Sequence, residues 1–508
     1  MTRARVPFIV VVLGLLVVAL VAERDRDRDP APSPPDDFGV SRVEPMVASA
    51  DVLGSTWYCP AGSAGEEGPA DHTVIIANPT DRDRPARLTA FPGQDDPVDA
   101  EVEVEANSLE RVQVSELVTA PAVAVMVELD GGEMAVSHEL VGPTGADSGP
   151  CASTSSDTWH FAWGDTSADA RSLFALFNPY PGDAVVDFQF LTVDGPREPQ
   201  ALTGVVVPGR SVVVVDAGAE VARRDQVSAT ATARSGRVIV ERLQTFDDTE
   251  ERLEGEDPRR AVTTDLGVPE PMPLWVYPSV RLVEGLTERV VVYNPGDATA
   301  EVDVEVLLSD PELGGVEPFE LTIAPNRYEV VDLTDQPRLV DRFVDDAITA
   351  TVVVRSLNDV PVVAERVTTV ASSAEGPGIT ASSGSALVGR RLLLIDPRTR
   401  GTDAAALTLI NLDPDLLVSG SVSIRSRGTE RPLDGFEDFE IGPSGRETID
   451  DLVDRVSGAG TSMLVIESSH PLAAGIASRR SDPSDRSAQV AIPFADDAEL
   501  PQGMNIGG

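Results

Sequence analysis

Apolar residues along this chain gather in short runs separated by polar ones, and the runs return in the same order about every 100 residues. An Asn-Pro step ends such a run at Asn78-Pro79, Asn178-Pro179 and Asn294-Pro295, with a degraded copy at Asn411-Leu412-Asp413-Pro414. Proline cannot donate to a strand ladder and drives its predecessor away from the helical region, so each step predicts a turn leaving a strand. A second apolar run follows each step, at Leu88 with Phe91, Phe188 with Phe190, Val304 with Val306 and Val422 with Ile424. The third copy, Glu301-Val302-Asp303-Val304-Glu305-Val306, alternates with period two and predicts a half-buried strand, valines inward and acids outward.

Two further marks recur. A turn rich in Pro, Gly, Asn and Ser comes next, at Pro208-Gly209-Arg210, Pro325-Asn326-Arg327, Pro443-Ser444-Gly445-Arg446 and, without proline, Ala106-Asn107-Ser108 followed by Arg111. A strand then lies near each unit's end, at Met134–Glu139, Val238–Arg242 and Val362–Arg366; the fourth copy departs, reading Ala473-Ala474-Gly475-Ile476-Ala477. A short helical turn is expected at Asp450–Arg455. About six or seven strands per unit, with turn signals every 8–12 residues, is a sandwich pattern. The expected fold is all-β, a tandem array of about four immunoglobulin-like β-sandwich domains behind one N-terminal transmembrane or signal segment. The expected boundaries are 51–146, 157–248, 274–371 and 386–482 for the sandwiches. Linkers are expected at 249–273 and 372–385, a Gly/Ser/Asp connector at 145–156, and a weakly ordered tail at 483–508, in which Ala488–Phe494 could add a last strand.

The N-terminus reads Met1-Thr2-Arg3-Ala4-Arg5 before an apolar run from Val6 to Ala22, a basic region followed by an export core. The reading is a signal anchor or signal peptide over 1–22, with the bulk of the chain outside the cytoplasm either way. Residues 23–50, charged and then proline-rich, are expected to form an extended tether. Of 508 residues, 84 are acidic and 40 basic, all of the latter arginine, for a net charge of -44. That excess disfavours nucleic acid or an anionic lipid surface as partner.

The two cysteines, Cys59 and Cys151, suit one disulfide in an oxidising compartment, tying the start of the first unit to its exit. Motif chemistry is sparse. His72, His138, His160 and His470 have no ligand spacing, and no nucleophile elbow, P-loop or dinucleotide fingerprint is present, so no enzyme, cofactor or metal is expected. The pairs Glu241-Arg242 and Glu365-Arg366 read as structural ion pairs with the turn arginines Arg111, Arg210, Arg327 or Arg446, against a ligand-contacting acid in each unit. Trp159, His160, Phe161 and Trp163 form the densest aromatic group and are the candidate contact for a protein partner or an envelope glycan. Trp57-Tyr58 and Trp275-Val276-Tyr277 hold similar positions, which equally suits packing between units. Aspartate-rich loops such as Asp81-Arg82-Asp83, Asp247-Asp248 and Asp413-Pro414-Asp415 lack calcium-loop spacing and read as solvated.

With Trp57-Tyr58-Cys59-Pro60, the Asn-Pro steps and the Trp159–Trp163 segment, the chain resembles an uncharacterised family of actinobacterial exported proteins with one N-terminal hydrophobic segment, described as a domain of unknown function. The resemblance implies a cell-envelope location and brings no catalytic residues. The expectation is therefore a membrane-anchored, non-catalytic scaffold or interaction module, with a glycan-binding module as the alternative and an enzyme with an unrecognised site as the second alternative.

A Cys59–Cys151 bond would constrain 92 residues of unfolded chain, worth about 3–5 kcal/mol. Cys59→Ser should therefore lower the melting temperature under oxidising conditions and match the wild type under reducing ones. Equal melting temperatures in the oxidised state would sink the assignment.

Overall fold

The computed structural model describes residue 43 and residues 45–501, apart from 66–67, 248–258, 344–346, 371–377, 397–401, 457–459 and 482–483. The expected segment 1–22 and most of the tether lie outside the described residues. Among the described residues no helix is long and apolar enough to cross a membrane.

The architecture is all-β, with antiparallel sheets and, among the described residues, no closed barrel. In the first repeat the strands are β1 (Gly54–Cys59), β2 (Asp71–Asn78), β3 (Arg84–Phe91), β4 (Val98–Val104), β5 (Ser108–Gln113), β6 (Ala124–Asp130), β7 (Ala135–Gly142) and β8 (Gly145–Pro150). They form two sheets, in the orders β1-β6-β3-β4 and β5-β2-β7-β8. Trp57, Leu88, Val125 and Val127 of the first sheet pack with Val74, Ile76 and Val136 of the second. The same two orders return in the other three repeats, with short strands added at Gly195–Arg197 in the second and at Thr429–Pro432 and Ile492–Pro493 in the fourth. In the last repeat one long strand, Met463–Ser481, serves both sheets, pairing with Gly389–Ile395 through its first half and Thr402–Ile410 through its second. The helical turn expected at Asp450–Arg455 is the short helix Leu452–Val456.

The recurring sequence marks form one device. Asn78, Asn178, Asn294 and Asn411 are fully buried. Each donates its amide to two carbonyls that close the following loop, such as Gly182 O at 2.8 Å and Val207 O at 3.1 Å from Asn178 Nδ2. Its Oδ1 accepts from the backbone N–H two residues on, as from Tyr180 at 3.1 Å. The matching bonds run from Asn294 to Ala298 O and Ile323 O, and from Asn411 to Leu416 O and Gly442 O. The second mark docks onto the first: the N–H groups of Asn107, Arg210 and Ser444 reach the carbonyls of Thr80, Tyr180 and Asp413. All three residues, with Asn326, hold φ near +50 to +60°, the left-handed conformation that turns the chain into the next strand.

The segments expected as connector and linkers carry strands instead, β8 in the connector and Ala261–Leu266 and Gly378–Ser383 in the linkers, while the last strand expected in the tail at Ala488–Phe494 is found as Ser484–Val490 and the short Ile492–Pro493. β8, Ala261–Leu266, Gly378–Ser383 and Ser484–Val490 each complete the second sheet of their repeat. Glycine, serine and proline nearby disguise them, because a strand shielded by neighbouring repeats does not need a continuous apolar run. These four inner strands touch one another in a closed cycle: β8 meets Ala261–Leu266 and Ser484–Val490, and both of those meet Gly378–Ser383. The repeats therefore form a ring rather than a string. The ring closes beside the start of the described chain, where Val47 N donates to Pro493 O and Ala495 N to Val47 O, each at 2.9 Å.

Removing an asparagine clamp leaves buried carbonyls unpaired, at a cost of about 1–3 kcal/mol each. Asn178→Ala should lose about 2–4 kcal/mol in chemical denaturation; a loss under about 0.5 kcal/mol, typical of a surface change, would show that the clamp is dispensable.

Candidate functional site

The densest set of buried ionisable groups lies where one repeat meets the next. Glu241, on Ile239–Phe246 of the second repeat, reaches into the first: its carboxylate accepts from Ala61 N at 3.1 Å and meets His138 Nε2 at 2.8 Å. Glu365, on Val363–Val370 of the third repeat, does the same to the second, accepting from Ala162 N at 2.7 Å and pairing with Arg242 Nη2 at 2.9 Å. Arg242 also donates to Trp163 O, and its guanidinium carbon lies 5.3 Å from the Trp163 ring and 5.5 Å from that of Phe161. Arg242 and Glu365 are both fully buried, a state that ions tolerate only when paired and hydrogen-bonded.

The relay changes at the fourth repeat. Gly475 stands opposite Thr408, where Glu241 stands opposite Ala175 and Glu365 opposite Val291. A Cβ on Gly475 would lie 3.1 Å from Gln489 O and 3.3 Å from the ring of Pro278, so a side chain here would press on both and the position favours glycine. Arg366 instead pairs with Glu288 of its own repeat at 3.1 Å and donates to Ser279 O.

The structural reading of the Glu-Arg pairs therefore holds, with a different partner. The acids pair with a basic side chain on the matching strand of the preceding repeat, not with turn arginines. The turn arginines also cross seams. Arg111 pairs with Asp396 of the fourth repeat at 2.5 Å. The Arg210 guanidinium lies 5.8 Å from the Phe91 ring of the first, and Arg327 lies against Gly195 of the second. Arg446 donates to Leu307 O, Thr349 O and Thr351 Oγ1 of the third.

The aromatic group expected to meet a partner or glycan is turned inward. Trp159, His160, Phe161 and Trp163 are at most 8% exposed. Trp159 Nε1 donates to Val238 O at 2.9 Å, and Trp275 Nε1 makes the matching bond to Val362 O at 2.8 Å. Phe161 meets Phe174 edge-on, Trp163 stacks on Phe246, and His160 Nδ1 lies 2.9 Å from Thr230 Oγ1. Burial holds the His160 imidazole down to about 4. Of the aspartate loops, Asp413 Oδ1 accepts from the N–H groups of Asp415 and Leu416, a turn cap. The Cys59–Cys151 disulfide is present.

Sequence reasoning missed the acids of the inner strands. Thr264 N donates to Asp147 at 3.0 Å, and Ser383 donates to Asp265 from N at 3.2 Å and from Oγ at 3.0 Å. Burial pushes the Asp265 carboxyl well up, with Glu365 adding to the shift and Arg242 opposing it. It also missed Arg259, whose guanidinium clamps Asp165 and Asp169 from a charged run that reads as linker. The one signal for the inner strand was the short run Val262-Thr263-Thr264-Asp265-Leu266, masked by the prolines that follow.

Burial pushes the Asp147 carboxyl up to about 7 from 3.8, against hydrogen bonds from Ser487, Thr264 and Ser148. The folded protein thus holds this proton more tightly than the unfolded chain. The resulting stability is full below pH 3.8 and is lost as pH rises toward 7. Asp147→Asn should therefore show a smaller fall in melting temperature between about pH 4 and about pH 7 than the wild type, in calorimetric scans across that range. Parallel profiles would refute the assignment.

Comparison with known proteins adds little chemistry. No curated protein matches the chain. Among solved structures, Thermotoga maritima 1070 is 18% identical over 23% of this chain and 95% of its own, with a TM-score of 0.19. An alpha-L-rhamnosidase of Streptomyces avermitilis, solved with L-rhamnose, is 10% identical over 71% of this chain and 45% of its own, with a TM-score of 0.14. The tetra-tandem repeat in the extending region of a large adhesion protein is 11% identical over 86% of this chain and 99% of its own, with a TM-score of 0.10. At such scores these likenesses carry no argument. The sequence itself is more specific: residues 134–415, more than half of the chain and including Glu241, Arg242, Asp265, Glu365 and Arg366, match DUF5719. The chain therefore belongs to that family, a family of unknown function.

Proposed function

We propose that the protein is a non-catalytic, extracytoplasmic scaffold or protein-interaction module of the cell envelope. In this reading it is built from four immunoglobulin-like sandwiches and carried on its N-terminal apolar segment. The observation that supports it most is the use made of the buried charged groups. His138, Glu241, Arg242 and Glu365 are bound to one another or to backbone across seams, which is the chemistry of holding repeats together. The disulfide fits an oxidising compartment. The glycan reading loses its main support, because Trp159, Phe161 and Trp163 are committed to the interior.

Crosslinking the full-length protein in intact cells of its host, followed by purification, tests the proposal. The expected outcome is one envelope protein or assembly recovered reproducibly at near-stoichiometric yield. Failure to recover any such protein, or turnover of an envelope substrate by the purified chain, would refute it.

A further inference from the structure

The outer edges of the first sheets are equivalent in position but differ in how they are finished. In the second repeat two strands of three residues share the edge, Gly195–Arg197 and Val205–Val207, with Pro196 inside the first. In the third, Phe319–Ile323 is five residues long, and Arg338 lies over the Phe319 ring and donates to Glu317 O and Pro318 O. In the fourth, Thr429–Pro432 and Phe439–Ile441 again divide the edge. Breaks, prolines and covering groups are the usual means of blunting an edge strand. The first repeat uses none of them. There β4 runs unbroken for seven residues without proline. β3 pairs with it on one side, and among the described residues no strand pairs with it on the other.

The register fixes which backbone groups of β4 face outward. Directly opposed residues in an antiparallel ladder alternate between bonded and non-bonded pairs. Pro85 of β3 has no N–H and stands opposite Glu103, so that pair is non-bonded. By alternation, Arg87–Glu101 and Thr89–Asp99 are non-bonded too. The N–H and C=O groups of Asp99, Glu101 and Glu103 therefore point away from β3. The same three residues carry exposed side chains on one face of the strand. On the other face Val98 is exposed, and Ala100 and Val102 are half-buried, an apolar strip left partly uncovered at the edge. Across the ladder, Arg87 forms an exposed pair with Glu101 at 3.1 Å and has Glu128 of β6 on its far side. Asp99 accepts from Thr89 Oγ1 at 2.8 Å, and Glu103 faces the proline.

We propose that the free edge of β4 takes up a basic, extended segment of a protein partner as one more strand of the sheet. This rests on the reading of the protein as an interaction module and names the partner's chemistry. In a chain of net charge -44, acids alone would attract any cation; the unpaired backbone is what calls for a strand. Backbone bonds to Asp99, Glu101 and Glu103 supply affinity, and alternate side chains supply specificity. Arginine or lysine at every second position lies against the three carboxylates, with small apolar residues between them covering Val98, Ala100 and Val102. A second copy of β4 is disfavoured in the same register, because its acids would stand directly opposite these.

Fluorescence anisotropy of a labelled, end-blocked peptide, Thr-Arg-Val-Arg-Val-Arg-Thr, titrated with the full chain at fixed ionic strength, tests the proposal. Saturable binding is expected. Two controls keep the charge: the same residues in the order Arg-Arg-Arg-Val-Val-Thr-Thr, and the first peptide N-methylated at its central arginine. Each should bind at least about tenfold more weakly, since pattern or backbone donor is lost. Glu101→Pro removes one outward N–H and one carboxylate while leaving the bonded β3–β4 pairs in place, and should weaken binding by a similar factor. Glu103→Arg should weaken it too, and Glu320→Gln, on Phe319–Ile323 of the third repeat, should leave it unchanged. Circular dichroism identifies any variant that fails to fold. Absence of saturable binding by the wild type, equal binding of the three peptides, or unchanged affinity in folded Glu101→Pro or Glu103→Arg overturns the proposal. Recovery of the same envelope partner by wild type and folded Glu101→Pro after crosslinking would overturn this edge as the docking site and leave the interaction-module reading intact.

Discussion

The whole arrangement depends on the burial of four inner strands against one another. β8, Ala261–Leu266, Gly378–Ser383 and Ser484–Val490 each complete a sheet, and each meets the matching strands of neighbouring repeats. A strand left at such an edge would expose unpaired backbone and polar side chains that here are matched across the seam. This is why Thr264 donates to Asp147, Ser383 to Asp265 and Gln489 to Ser148. The repeats thus stabilise each other as neighbours do in a solenoid, with the difference that the array returns to its start.

That constraint explains how the seams are specialised. The seam between the first and second repeats shares an apolar core that includes Phe91, Leu140 and Phe177, with the His138–Glu241 contact beside it. The seam between the second and third relies on the fully buried Arg242–Glu365 pair. Removing one partner of such a pair costs about 3–5 kcal/mol, because the other charge is left without compensation. The seam between the third and fourth replaces the pair with contact between Gly475 and Pro278. Distinct seams in a ring of similar units favour one order of assembly over its alternatives.

Much of this was legible in the sequence. Alternation at Glu301–Val306 marked a real strand, the Asn-Pro steps marked real turns, and the even pair of cysteines marked a real disulfide. Those features are local, or depend on compartment, and local chemistry determines them. The inner strands were not legible because their burial is supplied by other repeats, which relaxes the demand for apolar residues: Gly145–Pro150 contains a single apolar alanine among small and polar groups. Trp159 and Trp163 looked available because an aromatic cluster in sequence does not say which way its side chains turn; Val238 O and Phe246 of their own repeat hold them inside.

Three of the four seams are crossed by continuous polypeptide; the fourth is not. There the covalent link is replaced by side-chain contacts such as Arg111 with Asp396, and by the two backbone hydrogen bonds of Val47. Val47 is both a member of the first sandwich's core, in one cluster with Trp57 and Leu88, and the backbone partner of the last repeat through Pro493 and Ala495, so this joint is tied directly into a folded core. It is the one seam at which the ring can open into an arc with every repeat still joined to its neighbour through the chain.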